Sequence, residues 1–272
     1  MPAAASSPRR LAVCPPLLAI DRIPLEISTF AICERGARDH NDDAWSDNRL
    51  VAGRCLTVAD GAGGHLGGAI AARVATDAIV GHLSGVAHWD DQTLVAAIDA
   101  ASRSVHQRQQ DAQELREMSC TVVLLCIDAD VHGGRWTHLG DSRLLFFRRK
   151  ASEQLTRDHS VVQSLLDAGL ASKGGTGVVD RSLLYAAIGS ENETHATVGS
   201  RAPLADGDAF LLCSDGVWDT VPMQRIERQL QASQSVREWI EAVGSDVAAA
   251  GKAHQDNYTA LGVWINAPAR TL

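Results

Sequence analysis

The sequence predicts a mixed α/β domain of the α+β kind, in which antiparallel β-sheets pack together and helices cover their outer faces. Two observations lead to this prediction. Apolar, strand-like runs and amphipathic helical segments follow one another along most of the chain, and the helices come in pairs between groups of strands. A parallel, doubly wound sheet has one helix between successive strands, so the paired order favours antiparallel sheets.

Seven short apolar runs have the composition of β-strands, which favour β-branched and aromatic residues. In chain order they cover residues 25–32, 55–59, 121–128, 135–139, 143–147, 209–213 and 258–265. Runs this short form strands and do not span a bilayer, which needs roughly 20 apolar residues in a helix. We therefore expect these runs to build the sheets.

Four helices are predicted from apolar spacing or from a terminating glycine. The first is the Ala-rich segment 68–83, which has one face formed by Ile70, Val74 and Ala78. The second has apolar residues that step by four, three and four positions, at Leu94, Ile98, Ala101 and Val105. The third covers about residues 160–168 and stops at Gly169. The fourth repeats the spacing of the second, at Val236, Ile240, Val243 and Val247.

Length and composition limit the classes of protein to consider. The chain has 272 residues, of which 45% are hydrophobic and 21% charged, so it can bury a core and is not intrinsically disordered. Its net charge is −8 and it has no block of Lys or Arg, which argues against nucleic acid or a membrane as the main partner. One domain over residues 23–266 is the simplest division, with a C-terminal tail over 267–272 and a mobile loop over 171–179.

The N-terminal residues 1–22 are predicted to be a flexible tail. Arg9-Arg10 followed by apolar residues resembles a signal peptide, but Pro15 and Pro16 interrupt the apolar run and no small-residue cleavage pattern follows. The six cysteines form no C-x-x-C pair. Four of them lie in apolar runs and are expected to be buried: Cys33, Cys55, Cys126 and Cys213. A reduced, cytoplasmic setting fits this pattern.

Five aspartates in separate short motifs carry the strongest chemical signal. Most of them stand where a strand-like run meets a turn that contains Gly or Asn: Asp42, Asp60, Asp141, Asp215 and Asp256. A β-scaffold delivers such side chains to one rim, and hard oxygen ligands from distant segments are what Mg²⁺ or Mn²⁺ binds. Carboxylates gathered in one place repel one another unless cations lie between them. These residues therefore predict a divalent metal site.

Other polar residues have simpler interpretations. Five further aspartates are expected to be turn, cap or solvated carboxylates: Asp39, Asp43, Asp47, Asp90 and Asp91. For Asp43, a role in supporting the metal site is also left open. Arg143 is expected to form a structural ion pair, and the histidines are mostly surface or core residues, His65 and His40 excepted.

Seven motifs in order resemble the metal-dependent serine/threonine phosphatases of the protein phosphatase 2C type, and more closely their compact bacterial branch. They cover nearly the whole chain after residue 30: Arg38 with Asn41-Asp42-Asp43, Val58-Ala59-Asp60-Gly61-Ala62-Gly63-Gly64-His65, Met118-Ser119-Cys120-Thr121, Leu139-Gly140-Asp141-Ser142-Arg143, Leu155-Thr156-Arg157-Asp158-His159-Ser160, Leu211-Leu212-Cys213-Ser214-Asp215-Gly216-Val217-Trp218-Asp219 and Asp256-Asn257. One Asp-Gly pair is common in proteins, but seven motifs in family order are specific.

The resemblance implies a four-layer α-β-β-α sandwich with two Mn²⁺ or Mg²⁺ ions at one rim. It implies that Asp60 bridges the ions, that Asp42 and the Gly61 carbonyl bind one of them, and that Asp215 and Asp256 bind the other. Asp141 and Asp219 match positions that form, with Asp215, a weaker third metal site in many relatives. Arg38 matches the residue that holds the substrate phosphate.

Three positions depart from the family pattern. Asp42 stands where most relatives have the longer Glu, and Ser119 replaces the usual Gly. Ala62 occupies the position where animal-type members place the histidine thought to protonate the leaving group, while His65 follows three residues later, as in many bacterial members. The resemblance therefore leaves open whether His65 or a water supplies that proton.

The function that the resemblance implies is hydrolysis of phosphoserine and phosphothreonine in proteins, by direct attack of a hydroxide that bridges the two metal ions. In bacteria such phosphatases act in signal transduction, where they commonly oppose a Hanks-type serine/threonine kinase, and some act in type VI secretion control. Two alternatives stay open: a catalytically weak or silent domain that binds phosphoproteins, and a metallohydrolase of small phosphorylated metabolites, which would need an enclosed pocket.

Overall fold

Two antiparallel β-sheets lie face to face at the centre of the molecule, and helices cover the outer face of each sheet. The computed structural model describes residues 25–63, 67–149, 151–170, 183–190, 196–251 and 254–267. The predicted tail 1–22, the predicted loop 171–179 and residues 268–272 lie outside these ranges. In the described residues, no helix is both long and apolar enough to cross a membrane.

The first sheet contains both the first and the last strand of the described chain. Its strands are β1 (Glu26–Glu34), β7 (Arg143–Arg148), β8 (Ala151–Gln154), β10 (Ala209–Cys213) and β11 (Tyr258–Asn266), in the order β1-β11-β10-β7-β8. The central strands β10 and β11 are almost entirely buried because the second sheet covers one face and helices cover the other.

The second sheet has the order β2-β3-β5-β6-β9 in the described residues, and a short strand β4 pairs with the end of β3. Its strands are β2 (Asp43–Leu50), β3 (Gly53–Ala62), β4 (Ser119–Cys120), β5 (Val122–Asp128), β6 (Gly134–Leu139) and β9 (Thr197–Arg201). In β3, Leu56 and Val58 face the first sheet, whereas Cys55 and Ala59 face the helices. Since both faces are covered, the strand reads as a continuous apolar run.

Two helical layers complete the sandwich. Helices α1 (Gly67–Ser84) and α2 (Asp91–Gln109) pack on the second sheet. A short helix α3 (Val161–Asp167) follows β8, and α4 (Asp215–Trp218), α5 (Met223–Ala232) and α6 (Val236–Ala249) cover the first sheet. The molecule is therefore an α-β-β-α sandwich, which confirms the predicted fold class.

The predicted apolar helix faces are buried in α2 and α6. All four spaced residues of each helix contact the core: Leu94, Ile98, Ala101, Val105, Val236, Ile240, Val243 and Val247. In α1 the buried stripe instead contains Ala71, Ala75 and Ile79, while the predicted face of Ile70, Val74 and Ala78 lies beside it, partly buried.

Cys33 corrects one prediction about burial. Cys55, Cys126 and Cys213 are buried as expected, but Cys33 is only half-buried because its strand, β1, is at the edge of the first sheet. The Cys33 thiol accepts a hydrogen bond from Asn41 Nδ2 at 3.2 Å. These cysteines are all free thiols.

Candidate functional site

An open cavity of about 500 Å³ lies at one rim of the sandwich, where strand ends from both sheets meet. Asp42 precedes β2, Asp60 lies near the end of β3, and Asp141 is in the turn that joins β6 to β7. Asp215 follows β10 and Asp256 precedes β11. The fold therefore brings all five predicted aspartates to the wall of one cavity.

Asp60 lies at the centre of this carboxylate cluster. Burial raises its pKa well above the usual range, and the negative charges of Asp43, Asp215 and Asp141 raise it further. Its backbone is fixed by Thr121, because Asp60 N–H donates to Thr121 Oγ1 at 3.2 Å and Thr121 N–H donates to Asp60 O at 2.8 Å. The Asp60 side chain is thus held close to other carboxylates at the wall of the cavity.

Asp215 and Asp141 have perturbed acidities for the same reasons. Burial, and then the charge of Asp256, raise the pKa of Asp215 to about 6, and its side chain lies within hydrogen-bond reach of Asp60. Burial, and then the charge of Asp215, raise the pKa of Asp141 to about 7. Carboxylates with raised pKa values that share one cavity are typical of functional sites.

The turn that carries Asp141 is held by its neighbours. Trp218 Nε1 donates to Asp141 O at 3.0 Å, and the Thr121 and Ser142 hydroxyls are 2.7 Å apart. Arg143 forms the structural ion pair that its sequence context predicted, with two hydrogen bonds to Asp158 at 2.6 and 2.9 Å. Its guanidinium also lies 3.5 Å from the centre of the Trp218 ring.

Asp42 meets the first turn of helix α1. Burial raises the pKa of Asp42, while a hydrogen bond from the Ala69 backbone N–H opposes the shift. This contact is possible because α1 approaches β3 closely: a Cβ on Gly61 would lie 2.1 Å from Gly68 O. Gly61 therefore has to be glycine, and the close packing leaves its backbone at the cavity wall.

Arg38 lies at the mouth of the cavity, and its side chain is 58% exposed. Arg38 Nη2 donates to Asp256 Oδ2 at 2.7 Å. The predicted phosphate-binding residue and one predicted metal ligand are therefore in direct contact. Both face the cavity that Asp60 and Asp215 also line.

Asp43 is a site residue whose sequence context favoured a turn or surface role. Its Oδ2 accepts hydrogen bonds from Ser214 Oγ and Thr259 Oγ1, both at 2.7 Å, so it links the second sheet to the first. Burial raises the pKa of Asp43 to about 7 despite these bonds. The only sequence signal was its place directly after Asp42, because Ser214 and Thr259 are far away in the chain.

Asp219 lies beside the carboxylate cluster, where its charge, after burial and the charge of Asp256, contributes to the raised pKa of Asp215. Asp219 is exposed at the end of α4, with its backbone N–H donating to Asp215 O at 2.9 Å, and it does not line the cavity. His65 lies outside the described residues. The roles predicted for both residues stay predictions.

The donor set fits a hard divalent cation. Among the described residues, Asp42 Oδ1 and Asp215 Oδ1 are buried oxygens with no hydrogen-bond partner, which is costly for a carboxylate unless a cation satisfies it. In the described ranges, no three His, Cys, Asp or Glu side chains are placed closely enough to hold an ion as they stand, and Asp256 is turned to Arg38. Carboxylate and carbonyl oxygens are the ligands of Mg²⁺ and Mn²⁺.

The cavity also has an apolar side, formed by the described segment 183–190. Leu184 and Ala187 line the cavity together with the carboxylates. The segment is held at both ends, since Tyr185 N–H donates to His159 O at 3.0 Å and Ile188 N–H donates to Cys120 O at 2.8 Å. The site thus combines a carboxylate cluster with an apolar wall.

Comparison with known proteins gives a consistent result. A sequence model of the family described as protein phosphatase 2C matches residues 34–255. The serine/threonine protein phosphatase PstP of Mycobacterium tuberculosis is 30% identical over 219 residues, which are 77% of this chain and 40% of that protein. Protein phosphatase PhpP of Streptococcus pneumoniae is 31% identical over 195 residues, 68% of this chain and 76% of that protein. The chain thus spans about two fifths of the length of PstP.

Solved structures agree with the fold and with the sequence match. The catalytic domain of PstP in complex with 2 manganese ions has a TM-score of 0.77 at 26% identity, covering 89% of this chain and 99% of that one. PppA of Pseudomonas aeruginosa, described as a key regulatory component of T6SS, has a TM-score of 0.73 at 26% identity, covering 88% and 97%. With a family match over most of its length and this shared architecture, the chain belongs to the protein phosphatase 2C family.

Proposed function

We propose that the chain is a divalent-metal-dependent phosphatase that removes phosphate from phosphoserine and phosphothreonine in proteins. The observation that carries this proposal is the gathering of Asp42, Asp60, Asp215 and Asp256 with Arg38 around one open cavity, in a protein phosphatase 2C chain. Two Mn²⁺ or Mg²⁺ ions are the proposed cofactors, as in the manganese complex of PstP. Asp141 also lines the cavity and is a proposed ligand of a weaker third ion.

The carboxylates would hold the cations. Asp60 is the proposed ligand of both ions, with Asp42 and the Gly61 carbonyl on one side and Asp215 and Asp256 on the other. When bound, such ions neutralise the charge of the phosphate and make water a nucleophile at neutral pH. Asp43 would fix the position of the ligands by tying β2 to Ser214 and Thr259.

Arg38 would bind the phosphate. A guanidinium can donate two parallel hydrogen bonds to phosphate oxygens, and Arg38 is exposed at the mouth of the cavity, where a phosphorylated side chain can reach it. Arg38 Nη2 already donates to Asp256 Oδ2, so this nitrogen is available to a phosphate only when it leaves the carboxylate. A cation held by Asp256 would weaken its contact with the arginine and so would favour that exchange.

The openness of the site favours a protein substrate over a small metabolite. The exposed side chain of Arg38 and the half-buried side chain of Asp256 lie at the mouth, and the cavity is not enclosed. A peptide that carries a phosphorylated residue can therefore present its phosphate at the rim while its backbone stays on the surface.

Hydrolysis of a phosphothreonine peptide and of p-nitrophenyl phosphate tests the proposal. We expect turnover of both substrates with Mn²⁺ or Mg²⁺, no turnover in chelator, and loss of turnover in Asp60→Asn. Asp77→Asn is the matched control, since Asp77 is exposed on α1 and outside the cavity. Binding of the phosphopeptide without turnover at any metal concentration would instead identify a silent phosphoprotein-binding domain.

We further propose that the protein opposes a serine/threonine kinase, and the similarity to PppA supports a role in type VI secretion control. The direct check is to incubate the phosphatase with an autophosphorylated Hanks-type kinase from the same genome. We expect loss of the kinase phosphate with the native enzyme and retention with Asp60→Asn. Equal retention with both proteins would argue against this partnership.

A further inference from the structure

The loop over residues 35–42 connects β1 to β2 and carries both Arg38 and Asp42. The position of Arg38 therefore depends on what holds this loop. In the described residues, its main partner is the segment just before β11, which contains Asp256 and Asn257.

The buried side chain of Asn257 makes three hydrogen bonds to the backbone of this loop. Its Nδ2 donates to Arg35 O at 2.7 Å and to His40 O at 2.8 Å, and its Oδ1 accepts from Asp42 N–H at 2.8 Å. Asn257 is only 6% exposed, so these bonds do not compete with bulk water. The amide uses two donors and one acceptor, a combination that Asp, Ser or Ala cannot supply.

The loop also fits closely against the neighbouring backbone. Gly36 has φ +63, and a Cβ at this position would lie 2.2 Å from Asp256 O. Ala37 N–H donates to Gln255 O at 2.8 Å. Arg38 follows directly and reaches Asp256 Oδ2 at 2.7 Å. The three hydrogen bonds of Asn257 thus hold the loop over 35–42 in the position that places Arg38 at the cavity.

We propose that Asn257 is a positioning residue for Arg38: its amide fixes both ends of the loop and so sets where the guanidinium meets the phosphate. This inference rests on the proposed function, because it assigns a consequence to the position of Arg38. In this role Asn257 is neither a proton donor to the substrate nor a metal ligand. It acts through the backbone of Arg35, His40 and Asp42.

The kinetic test compares Asn257→Ala in the native background with the same change in Arg38→Ala. In the native background, KM for a phosphothreonine peptide and the inhibition constant of inorganic phosphate should rise about 10-fold or more, the range expected when a charge-assisted hydrogen bond is lost. In Arg38→Ala, the same substitution should have an effect of less than about threefold, because coupled residues are not additive.

Asn266→Ala is the matched control. Asn266 lies at the other end of β11 and donates to Ser28 Oγ at 3.2 Å, far from the cavity lining. It should leave KM and the phosphate inhibition constant unchanged. Asn257→Asp keeps the size of the side chain and loses both donors, so it should raise KM in the same direction and serves as the second variant if Asn257→Ala does not fold.

Amide hydrogen exchange tests the three hydrogen bonds of Asn257 to the loop without reference to turnover. The Asp42 amide should exchange slowly in the native protein and faster in Asn257→Ala, while amides in the centre of β10 stay protected. Unchanged exchange of Asp42 would overturn the proposal even if the enzyme were inactive. Equal loss of kcat/KM in the native and Arg38→Ala backgrounds, or a fall in kcat with KM unchanged, would also overturn it. Absence of turnover in the native protein would count against the proposed function alone.

Discussion

Replacing Asp141 with asparagine should stabilise the metal-free protein at high pH and not at low pH. Asp141 is 6% exposed, and its pKa is raised from 3.8 to about 7, first by burial and then by the charge of Asp215. Between these two pKa values the folded protein keeps a proton that the unfolded chain releases. Stability is therefore greatest below the unfolded pKa and is lost as pH rises through about 7.

The size of the effect follows from the shift. A difference of about three pKa units corresponds to about 4 kcal/mol at about 1.4 kcal/mol per unit. Water in the open cavity screens the buried charge, so we expect about half of this value, about 2 kcal/mol, at pH 8. The asparagine side chain stays neutral at every pH, so Asp141→Asn should be about 2 kcal/mol more stable than the native protein at pH 8 and nearly equal to it at pH 4.

Urea unfolding in chelator at pH 4, 6 and 8 measures this difference. Asp77→Asn is the control, because Asp77 is exposed on α1 and its substitution should have the same small effect at all three values. A stability difference for Asp141→Asn that does not change with pH would refute the reasoning. So would a loss of stability at pH 8, which would mean that Asp141 is held by favourable contacts and not by desolvation.

The remaining predictions concern activity. Asp60→Asn and Asp215→Asn should abolish turnover and leave the metal-free fold at least as stable as the native one. Circular dichroism and thermal melting check the fold and its stability. Full activity in either variant would contradict the metal assignment. Arg38→Ala should raise KM and lower kcat/KM about 10- to 100-fold with metal content unchanged, and Arg38→Lys should recover only part of the loss, because an ammonium cannot match the bidentate geometry. If His65 is the general acid, His65→Gln should slow phosphopeptide hydrolysis by about 10²–10⁴-fold and spare p-nitrophenyl phosphate, whose leaving group needs no proton. Equal slowing of both substrates would leave water as the acid.

Buried strands could be predicted from the sequence, whereas three of the four edge strands of the described sheets could not; β1 is the edge strand that was predicted. The runs that became β3, β5, β10 and β11 are apolar because sheets or helices cover both of their faces. The strands that the apolar pattern missed include β2, β8 and β9, and each of these lies at an edge of its sheet. An edge strand such as Asp43–Leu50 is partly exposed and carries polar residues, so its pairing depends on contacts that an apolar pattern does not record.

Local chemistry also changed the predicted boundaries. The run predicted over 121–128 becomes strand β5 only from Val122, because the Thr121 hydroxyl bonds to Asp60 N–H and Ser142 Oγ and its backbone N–H donates to Asp60 O. Helices α4 and α5 were not predicted. The first is only one turn long and begins at Asp215, and the second has a single fully buried residue, Ile226.

The candidate site was predicted best where a motif is local. Asp42, Asp60, Asp141, Asp215 and Asp256 all line the cavity, as their places at strand ends indicated. The supporting residues were harder to find, because Asp43 bonds to Thr259 and Asn257 bonds to His40 between distant parts of the chain. Such contacts form only when the two sheets pack together, so a local sequence pattern does not predict them.

Manganese binding measured together with turnover tests the central claim most directly. The metal-free protein should hydrolyse no phosphothreonine peptide, and on addition of Mn²⁺ the activity should rise with the same midpoint as calorimetric binding. Asp60→Asn should lose both signals, and Asp77→Asn should keep both. Turnover by metal-free protein, or full turnover without measurable binding of Mn²⁺ or Mg²⁺, would contradict the account.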